Sequence, residues 1–280
     1  MKRHISSWSL LILLQLLLQT ALQAYFYYPD SRDYGNPSQF GYQYDEVSFE
    51  SIDGTTLLGW QIKTTAKQRE GVIIHFHGNA QNMSSHFRGV VWLCDQGYDV
   101  FTFDYRGYGK SSGRPERIGV YEDCVSAIRK AQRLYPEEQT FIVYGQSLGA
   151  ANAIAVMGGE DFKHIKAIIA EAPFYSYRSI ARDKVNLLID PLVGFVISNE
   201  KSPDDAIANI APTPLLLIHG TADQVVPLKH SEKLFQKAKA PKFLWKVPNA
   251  RHLGVFNASQ RANREKLAAF LGGLNGTSVD

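Results

Sequence analysis

The sequence predicts an α/β protein in which a mostly parallel, eight-stranded sheet is covered by helices on both faces. Short apolar runs alternate along the chain with segments of helical periodicity, and such runs are typical of strands buried on both sides. This alternation implies right-handed crossovers between parallel strands. The runs are Val72–Phe76, Tyr98–Phe103, Phe141–Tyr144, Ala167–Ala170, Leu215–Ile218 and Phe243–Trp245.

The remaining two strands are predicted as an antiparallel hairpin that leads into the parallel sheet. Residues Val47–Ile52 and Thr55–Lys63 flank the pair Asp53-Gly54, which is a strong turn signal. The hairpin therefore forms one edge of the predicted sheet.

Composition limits the classes of function. The chain has 280 residues, 45% of them hydrophobic, which is enough for one large domain that we assign to residues 29–280. The net charge is +3, and Lys and Arg are interleaved with Asp and Glu instead of forming the basic face of a nucleic-acid-binding protein. We expect a monomer without a nucleic-acid partner.

Residues 1–28 are predicted to be a signal peptide or a membrane anchor. Lys2 and Arg3 precede an uncharged run of about 24 residues, Ile5–Tyr28, which is long enough to span a bilayer. Ala24 offers a cleavage site, and three glutamines weaken the run as a span, so both alternatives stay open beside that of a buried N-terminal helix. The basic start places the rest of the chain on the non-cytoplasmic side of a membrane, which in a bacterium is the periplasm.

One interval interrupts the alternation of strands and helices. Residues 173–213 contain short helical patterns and several prolines but no central strand, so we interpret them as a small cap insertion. Ligands of open parallel sheets bind beyond the carboxyl ends of the strands, where such a cap would lie. A plain helical excursion on the surface is the alternative.

Ser147 is the candidate nucleophile. It stands at the centre of the pentapeptide Gly145–Gly149, between the apolar run Phe141–Tyr144 and a helix-forming stretch. This strand, turn and helix context is typical of a nucleophile elbow. We expect the two glycines to be required because the neighbouring strand and helix leave no space for side chains.

A serine nucleophile needs a base and an acid that orients the base, and both are expected after Ser147 in the chain. His252 is the one later histidine that follows a strand on a loop, and Asp223 follows the preceding strand in the same way. We therefore predict Asp223 as the orienting acid and His252 as the general base. The alternative is that Asp223 caps a turn and His252 is a solvated loop residue. The excluded histidines are His164, His219 and His230.

Backbone N–H groups are the expected donors to the oxyanion of an acyl-transfer intermediate. Leu148, directly after the nucleophile, is predicted to supply one, and Asn79, on the loop after strand Val72–Phe76, the other. A metal site on His75 and His77 is a weak alternative because no acidic or cysteine ligand stands nearby in the sequence.

Four motifs in chain order resemble the α/β-hydrolase superfamily, with small N-terminally anchored serine hydrolases, such as protein depalmitoylases and bem-type proteins, as the nearest branch. The motifs are His77–Ala80, Asp104–Pro115, Gly145–Gly149 and His219–Asp223. The resemblance implies an α/β-hydrolase fold, no metal or organic cofactor, and a structural role for loop Asp104–Pro115 at the floor of the site. Arg251 departs from the glycine of many relatives, which affects local access to His252.

We therefore expect a serine hydrolase that cleaves a small ester or thioester through a covalent acyl-enzyme and contacts a membrane through its N-terminal segment. Serine at position 147 excludes haloalkane dehalogenases and epoxide hydrolases, whose nucleophile is aspartate. The alternatives are a membrane-tethered binding protein without turnover, a serine peptidase and a haloperoxidase.

Overall fold

The computed structural model describes residues 26–184, 197–257 and 259–274. The strands are β1 (Tyr28–Pro29), β2 (Tyr44–Glu50), β3 (Thr56–Ile62), β4 (Gly71–Phe76), β5 (Ala80–Gln81), β6 (Tyr98–Phe103), β7 (Phe141–Gln146), β8 (Ile165–Glu171), β9 (Leu215–Gly220) and β10 (Lys242–Val247). The α-helices are α1 (Met83–His86), α2 (Arg117–Leu134), α3 (Leu148–Gly159), α4 (Tyr177–Arg182), α5 (Pro203–Ala206), α6 (Lys229–Lys237) and α7 (Arg261–Leu274). Short 3-10 helices cover Pro37–Phe40, Phe87–Gly89, Val91–Gln96 and Ile207–Asn209.

The central sheet has eight strands in the order β10-β9-β8-β7-β4-β6-β3-β2. The hairpin strands β2 and β3 pair antiparallel with each other, and β3 pairs antiparallel with β6. The other neighbours are parallel. The predicted sheet and its edge hairpin are therefore confirmed.

Alternate residues of the central strands enter two separate cores, one on each face of the sheet. On β4, Val72 and Ile74 belong to the core under α2 and α3, whereas Ile73 belongs to the core under the 3-10 helix Val91–Gln96 and α7. Side chains alternate across a strand, so a continuous apolar run supplies both cores at once. The prediction of helices on both faces is confirmed by this division.

A second, two-stranded sheet was not predicted. Strand β1 pairs in parallel with β5, which places Tyr28 opposite Ala80. Strands of two residues are too short to show periodicity, so no sequence pattern indicated this pairing. The pairing joins the N-terminal end of the described chain to the loop that follows β4.

Between β8 and β9, the predicted cap interval 173–213 contains α4, α5 and the 3-10 helix Ile207–Asn209. Residues 185–196 of that interval lie outside the described residues. The predicted signal or anchor, residues 1–28, also lies outside them except for its last three residues. Across the three described ranges, no helix has the length and apolar character needed to cross a membrane.

A buried arginine fixes the loop that follows β6. The Arg106 guanidinium donates two hydrogen bonds of 2.8 Å, one to Asp123 on α2 and one to Asp53 in the hairpin turn. Arg106 is 5% exposed and Asp123 is fully buried. Because breaking a buried ion pair leaves an uncompensated charge, this contact holds the loop in place between hairpin and helix.

Asp123→Asn should therefore lower the free energy of unfolding by about 3 kcal/mol, since it leaves the buried Arg106 with one carboxylate fewer. Urea denaturation followed by circular dichroism measures the change. Glu265→Gln is the matched control because it removes an exposed partner, that of Arg261, and should leave the denaturation midpoint unchanged. Equal stability of the two variants would contradict the structural importance of the Arg106 contact.

Candidate active site

Ser147 occupies the turn between β7 and α3 in a conformation that few non-glycine residues adopt. Its φ is 53° and its ψ is −111°. Its N–H donates a 2.8 Å hydrogen bond to the Glu171 carbonyl at the end of β8. The strained backbone thus presents the side chain at the carboxyl edge of the sheet, as a nucleophile elbow requires.

The two glycines of the pentapeptide are required by close packing. A Cβ on Gly145 would lie 2.4 Å from the Gly149 carbonyl oxygen, and a Cβ on Gly149 would lie 2.0 Å from the Phe76 carbonyl oxygen. The first contact is with α3 and the second with the end of β4. The steric reason expected from the sequence is therefore confirmed.

The structure brings the three residues of the predicted triad together in one chain of hydrogen bonds. His252 Nε2 lies 3.0 Å from Ser147 Oγ, and His252 Nδ1 lies 2.7 Å from Asp223 Oδ2. A carboxylate only accepts, so Nδ1 carries the hydrogen and the Nε2 lone pair faces the serine hydroxyl. This is the tautomer in which an imidazole can take the serine proton.

Asp223 is held as an anion by donors on several sides. Its Oδ1 accepts the N–H groups of Val225 and Val226 at 2.8 and 2.9 Å, and His219 Nε2 lies 3.4 Å from its Oδ2. Burial by itself raises the pKa of Asp223, but the hydrogen bonds from His219, His252 and Val226 outweigh it and hold the pKa well below its ordinary value. Asp223 therefore stays charged beside His252 at neutral pH.

Both predicted oxyanion donors line the same cavity as Ser147. Leu148 is the first residue of α3, where backbone N–H groups have no partner within the helix. Within the described part of the chain, neither the Leu148 nor the Asn79 N–H donates to another residue. The Asn79 side chain, in contrast, is occupied because its Oδ1 accepts the Tyr28 N–H at 3.1 Å and the Tyr108 hydroxyl at 3.0 Å.

The cavity at Ser147 has a volume of about 370 Å³ and a mainly apolar lining. Its walls come from the N-terminal segment, the loop after β4, the interval after β8 and the two loops of the triad. The apolar and aromatic wall residues are Phe26, Tyr28, Ala80, Leu148, Phe174, Ile180, Ala181, Val225, Val226 and Leu253. His86 also lines it, and burial lowers the pKa of His86 to about 4, so that it presents a neutral ring. Lys184 is the charged side chain in this set.

The weak alternative of a metal site on His75 and His77 has no support in the side-chain arrangement. In residues 26–184, 197–257 and 259–274, no group of three or more His, Cys, Asp or Glu side chains is placed to hold a metal ion. His75 is fully buried and its ring nitrogens lie 3.0 Å from Thr102 Oγ1 and 3.1 Å from Gln146 Oε1. It belongs to the polar interior of the sheet.

Some residues near the site were not found from the sequence. His219 was excluded as the general base because it lies at the end of a strand, although its position in β9, four residues before Asp223, could have indicated contact. Glu171, fully buried at the end of β8, accepts hydrogen bonds from Tyr144 and Gln146 at 2.7 and 2.9 Å. The position of Glu171, a single charged residue at the end of an apolar run, was the sequence signal that could have identified it. No sequence pattern indicated that Phe26 lies near the site.

Comparison with known sequences agrees with this architecture. The model of a family described as "Serine aminopeptidase, S33" matches residues 67–202. The protein YfhR of Escherichia coli O157:H7 is 41% identical over 237 residues, which are 83% of this chain and 81% of that protein. The alpha/beta hydrolase domain-containing protein WAV2 of Arabidopsis thaliana is 30% identical over 216 residues, 73% of this chain and 70% of that protein.

Among solved structures, an esterase of Pyrococcus furiosus, Pf2001, superimposes with a TM-score of 0.73 at 24% identity. The superposition covers 89% of this chain and 100% of the esterase chain. At this identity the likeness shows a shared fold. Together with the identity and coverage of YfhR and WAV2, it establishes that the chain belongs to the α/β-hydrolase superfamily.

Proposed function

We propose that the protein is a serine hydrolase that cleaves carboxylic esters or thioesters of apolar acyl groups through a covalent acyl-enzyme. The observation that carries the proposal is the continuous chain from Asp223 through His252 to Ser147, with hydrogen-bond distances of 2.7 and 3.0 Å. The strained backbone at Ser147 supports the proposal. Such strain persists only where the surrounding structure enforces it, and strained residues cluster at active sites.

In the proposed acylation step, Ser147 Oγ attacks the substrate carbonyl carbon while His252 Nε2 accepts the hydroxyl proton. The carbonyl π electrons move onto oxygen and form a tetrahedral oxyanion, which the N–H groups of Leu148 and Asn79 stabilise. When the oxyanion collapses, the bond to the alcohol or thiol breaks and the leaving group takes the proton from Nε2. Asp223 stabilises the imidazolium that exists between these two transfers.

In the deacylation step, a water molecule attacks the acyl-serine carbonyl and gives its proton to His252 Nε2. The second oxyanion uses the same two donors. Its collapse breaks the bond between Ser147 Oγ and the acyl carbon, and the proton returns from Nε2 to Oγ. The products are a carboxylic acid and the regenerated enzyme, so no cofactor enters the cycle.

The apolar lining of the cavity favours an acyl group without charge. Burying methylene groups against Phe174, Ile180 and Val226 would stabilise the bound ester.

The alternative of a serine aminopeptidase, which the description of the matching family raises, has a requirement that the described part of the cavity wall does not meet. An aminopeptidase must hold the positive N-terminus of a peptide, usually with a carboxylate. Among the described lining residues no Asp or Glu is present, and the charged side chain there is the cation Lys184. We therefore favour an esterase or thioesterase.

We further propose that the enzyme works at a membrane surface on the non-cytoplasmic side. The basic start and the uncharged run Ile5–Tyr28 support this localisation. The position of Phe26 and Tyr28 in the cavity wall is consistent with it, since the run would then end at the mouth of the site. Tyr28 and Val225 both line the cavity and are 54% and 50% exposed, so aromatic and apolar surface is open to solvent at this site.

Removing any member of the triad should abolish hydrolysis with the fold intact. Ser147→Ala and His252→Ala should each lower kcat for p-nitrophenyl butyrate by about a million-fold, because the two residues act as a unit. Asp223→Asn should lower it about ten-thousand-fold by misorienting the imidazole. A fluorophosphonate probe should label the wild type and not Ser147→Ala. An unlabelled and inactive wild type would favour the non-catalytic binding protein, whereas substantial activity in Ser147→Ala would contradict the proposed mechanism.

The acyl specificity should follow the apolar wall. From acetate to hexanoate p-nitrophenyl esters, each methylene that enters the cavity should raise kcat/KM about fourfold, which corresponds to about 0.8 kcal/mol. Ile180→Asn should flatten this series, whereas Ile52→Asn, at a 56% exposed position outside the cavity, should not. Faster cleavage of leucine p-nitroanilide than of any ester would instead identify an aminopeptidase.

The N-terminal segment should hold the protein on the far side of one membrane. A C-terminal reporter fusion should be active only on the non-cytoplasmic side, and the membrane-bound form should resist high salt but yield to detergent. The mass of the mature N-terminus then separates the two alternatives, since a chain that begins at Tyr25 is secreted and a chain that retains Lys2 is anchored. A reporter active in the cytoplasm would disprove export.

A further inference from the structure

A second histidine, His77, lies directly beneath the loop that carries Asn79. It follows the last residue of β4 and its side chain is fully buried. Its Nδ1 lies 2.7 Å from the carbonyl oxygen of Gly78. A carbonyl oxygen only accepts, so Nδ1 carries a hydrogen and donates it to Gly78.

This contact decides which way the next peptide group faces. The bond between Gly78 and Asn79 is trans, because the cis bonds of the described chain both precede prolines, at Pro212 and Pro241. In a planar trans peptide the C=O and N–H point in opposite directions. With the Gly78 carbonyl turned toward the buried ring, the Asn79 N–H points away from it, toward the cavity that Gly78 and Asn79 line.

We infer that His77 is a positioning residue for the oxyanion hole, which locks the Gly78–Asn79 peptide with its N–H toward the reacting oxygen. The inference rests on the proposed function, because the locked donor matters only if an oxyanion forms at Ser147. The role lies outside the triad, since His77 touches neither the nucleophile nor the base. The sequence analysis identified His77 as the first residue of the motif His77–Ala80, but no sequence pattern indicated that its side chain positions a backbone donor.

The ring of His77 is itself held by Tyr105, and the Asp104 carboxylate lies near its other nitrogen. Asp104 Oδ1 lies 3.4 Å from Nε2, is 3% exposed at the side chain, and is fixed by the Met83 N–H at 2.7 Å. Tyr105 packs on the ring with centroids 4.3 Å apart, and its hydroxyl donates to the His77 carbonyl at 2.8 Å. Nε2 itself has no hydrogen-bond partner among the described residues, so the contacts that hold the ring are those of Nδ1 and of Tyr105. Loop Asp104–Pro115 thus supports the oxyanion donor from below.

Among the described residues, the His77 ring makes the one side-chain hydrogen bond to the Gly78–Asn79 peptide group. The side chain of Asn79 is fixed by Tyr28 and Tyr108, but a side-chain contact does not determine the orientation of the preceding peptide plane. If the peptide turns, the site loses one of its two oxyanion donors. Such a loss elsewhere lowers kcat by about a hundred- to a thousand-fold.

Two substitutions of His77 separate the donor at Nδ1 from the size and polarity of the ring. Asparagine places an amide nitrogen where histidine has Nδ1, whereas glutamine places it nearer the position of Nε2. His77→Gln should lower kcat for p-nitrophenyl butyrate about a hundred-fold with KM unchanged, and should weaken an alkyl boronic acid inhibitor by a similar factor. His77→Asn should stay within about tenfold of the wild type in both measurements.

Coupling to Asn79 gives an independent readout. Asn79→Pro removes the N–H directly and should lower kcat about a hundred-fold or more. Adding His77→Gln to Asn79→Pro should then cost little further, because the donor that His77 positions is already absent. Additive losses in the double variant would overturn the inference, as would equal losses in His77→Asn and His77→Gln, or full activity in His77→Gln.

Thermal melting by circular dichroism identifies variants that fail to fold. If His77→Gln is unfolded, Tyr105→Phe decides the matter: it removes the hydroxyl that donates to the His77 carbonyl, keeps the aromatic ring that packs on His77, and should lower kcat about tenfold at constant KM, whereas unchanged kcat would overturn the inference. Failure of the proposed function is distinguishable, since the wild type itself would then neither hydrolyse esters nor react with the fluorophosphonate probe.

Discussion

The contact on which the site depends is the close approach of α3 to the end of β4. The backbone at Gly149 lies so near the Phe76 carbonyl that no side chain fits between them. This approach sets the first turn of α3 beside the loop after β4. One helix start therefore supplies the proposed nucleophile and one proposed oxyanion donor, while the adjacent loop supplies the other proposed donor. A bulkier residue at position 149 would separate the groups that the proposed chemistry needs together.

Around that contact, most buried polar groups of the described chain have hydrogen-bond partners, and the exceptions include His77 Nε2 and Glu171 Oε1. His252 joins the Asp223 carboxylate to the Ser147 hydroxyl, and His77 donates through Nδ1 to the Gly78 carbonyl. Burial strengthens each of these interactions because the local dielectric is low. The same burial makes each unpaired group costly, which limits the substitutions that the site tolerates.

The fold and the meeting of Ser147, Asp223 and His252 were predictable because their signals are local in the sequence. Continuous apolar runs identified the central strands, and the glycines around Ser147 identified the elbow. Asp223 and His252 followed from their positions after strands. The contacts of β1 with β5 and of Tyr105 with His77 were not predictable, because they join short or irregular segments far apart in the chain. The alternation of residues along a strand determines which face of the sheet each side chain enters. Contacts between loops depend instead on how individual side chains pack, and no sequence periodicity predicts that.

The N-terminal strand has a practical consequence for handling the protein. Tyr28 pairs with the loop at Ala80, its N–H binds Asn79, and Phe26 forms part of the cavity wall. These residues directly follow the segment that an expression plasmid for a secreted or anchored protein usually omits. A plasmid that begins at the first regular strand of the central sheet, β2, would encode a complete sheet with a defective site. Design of a recombinant form should therefore place its first codon before that of Phe26, and any affinity tag at the other end.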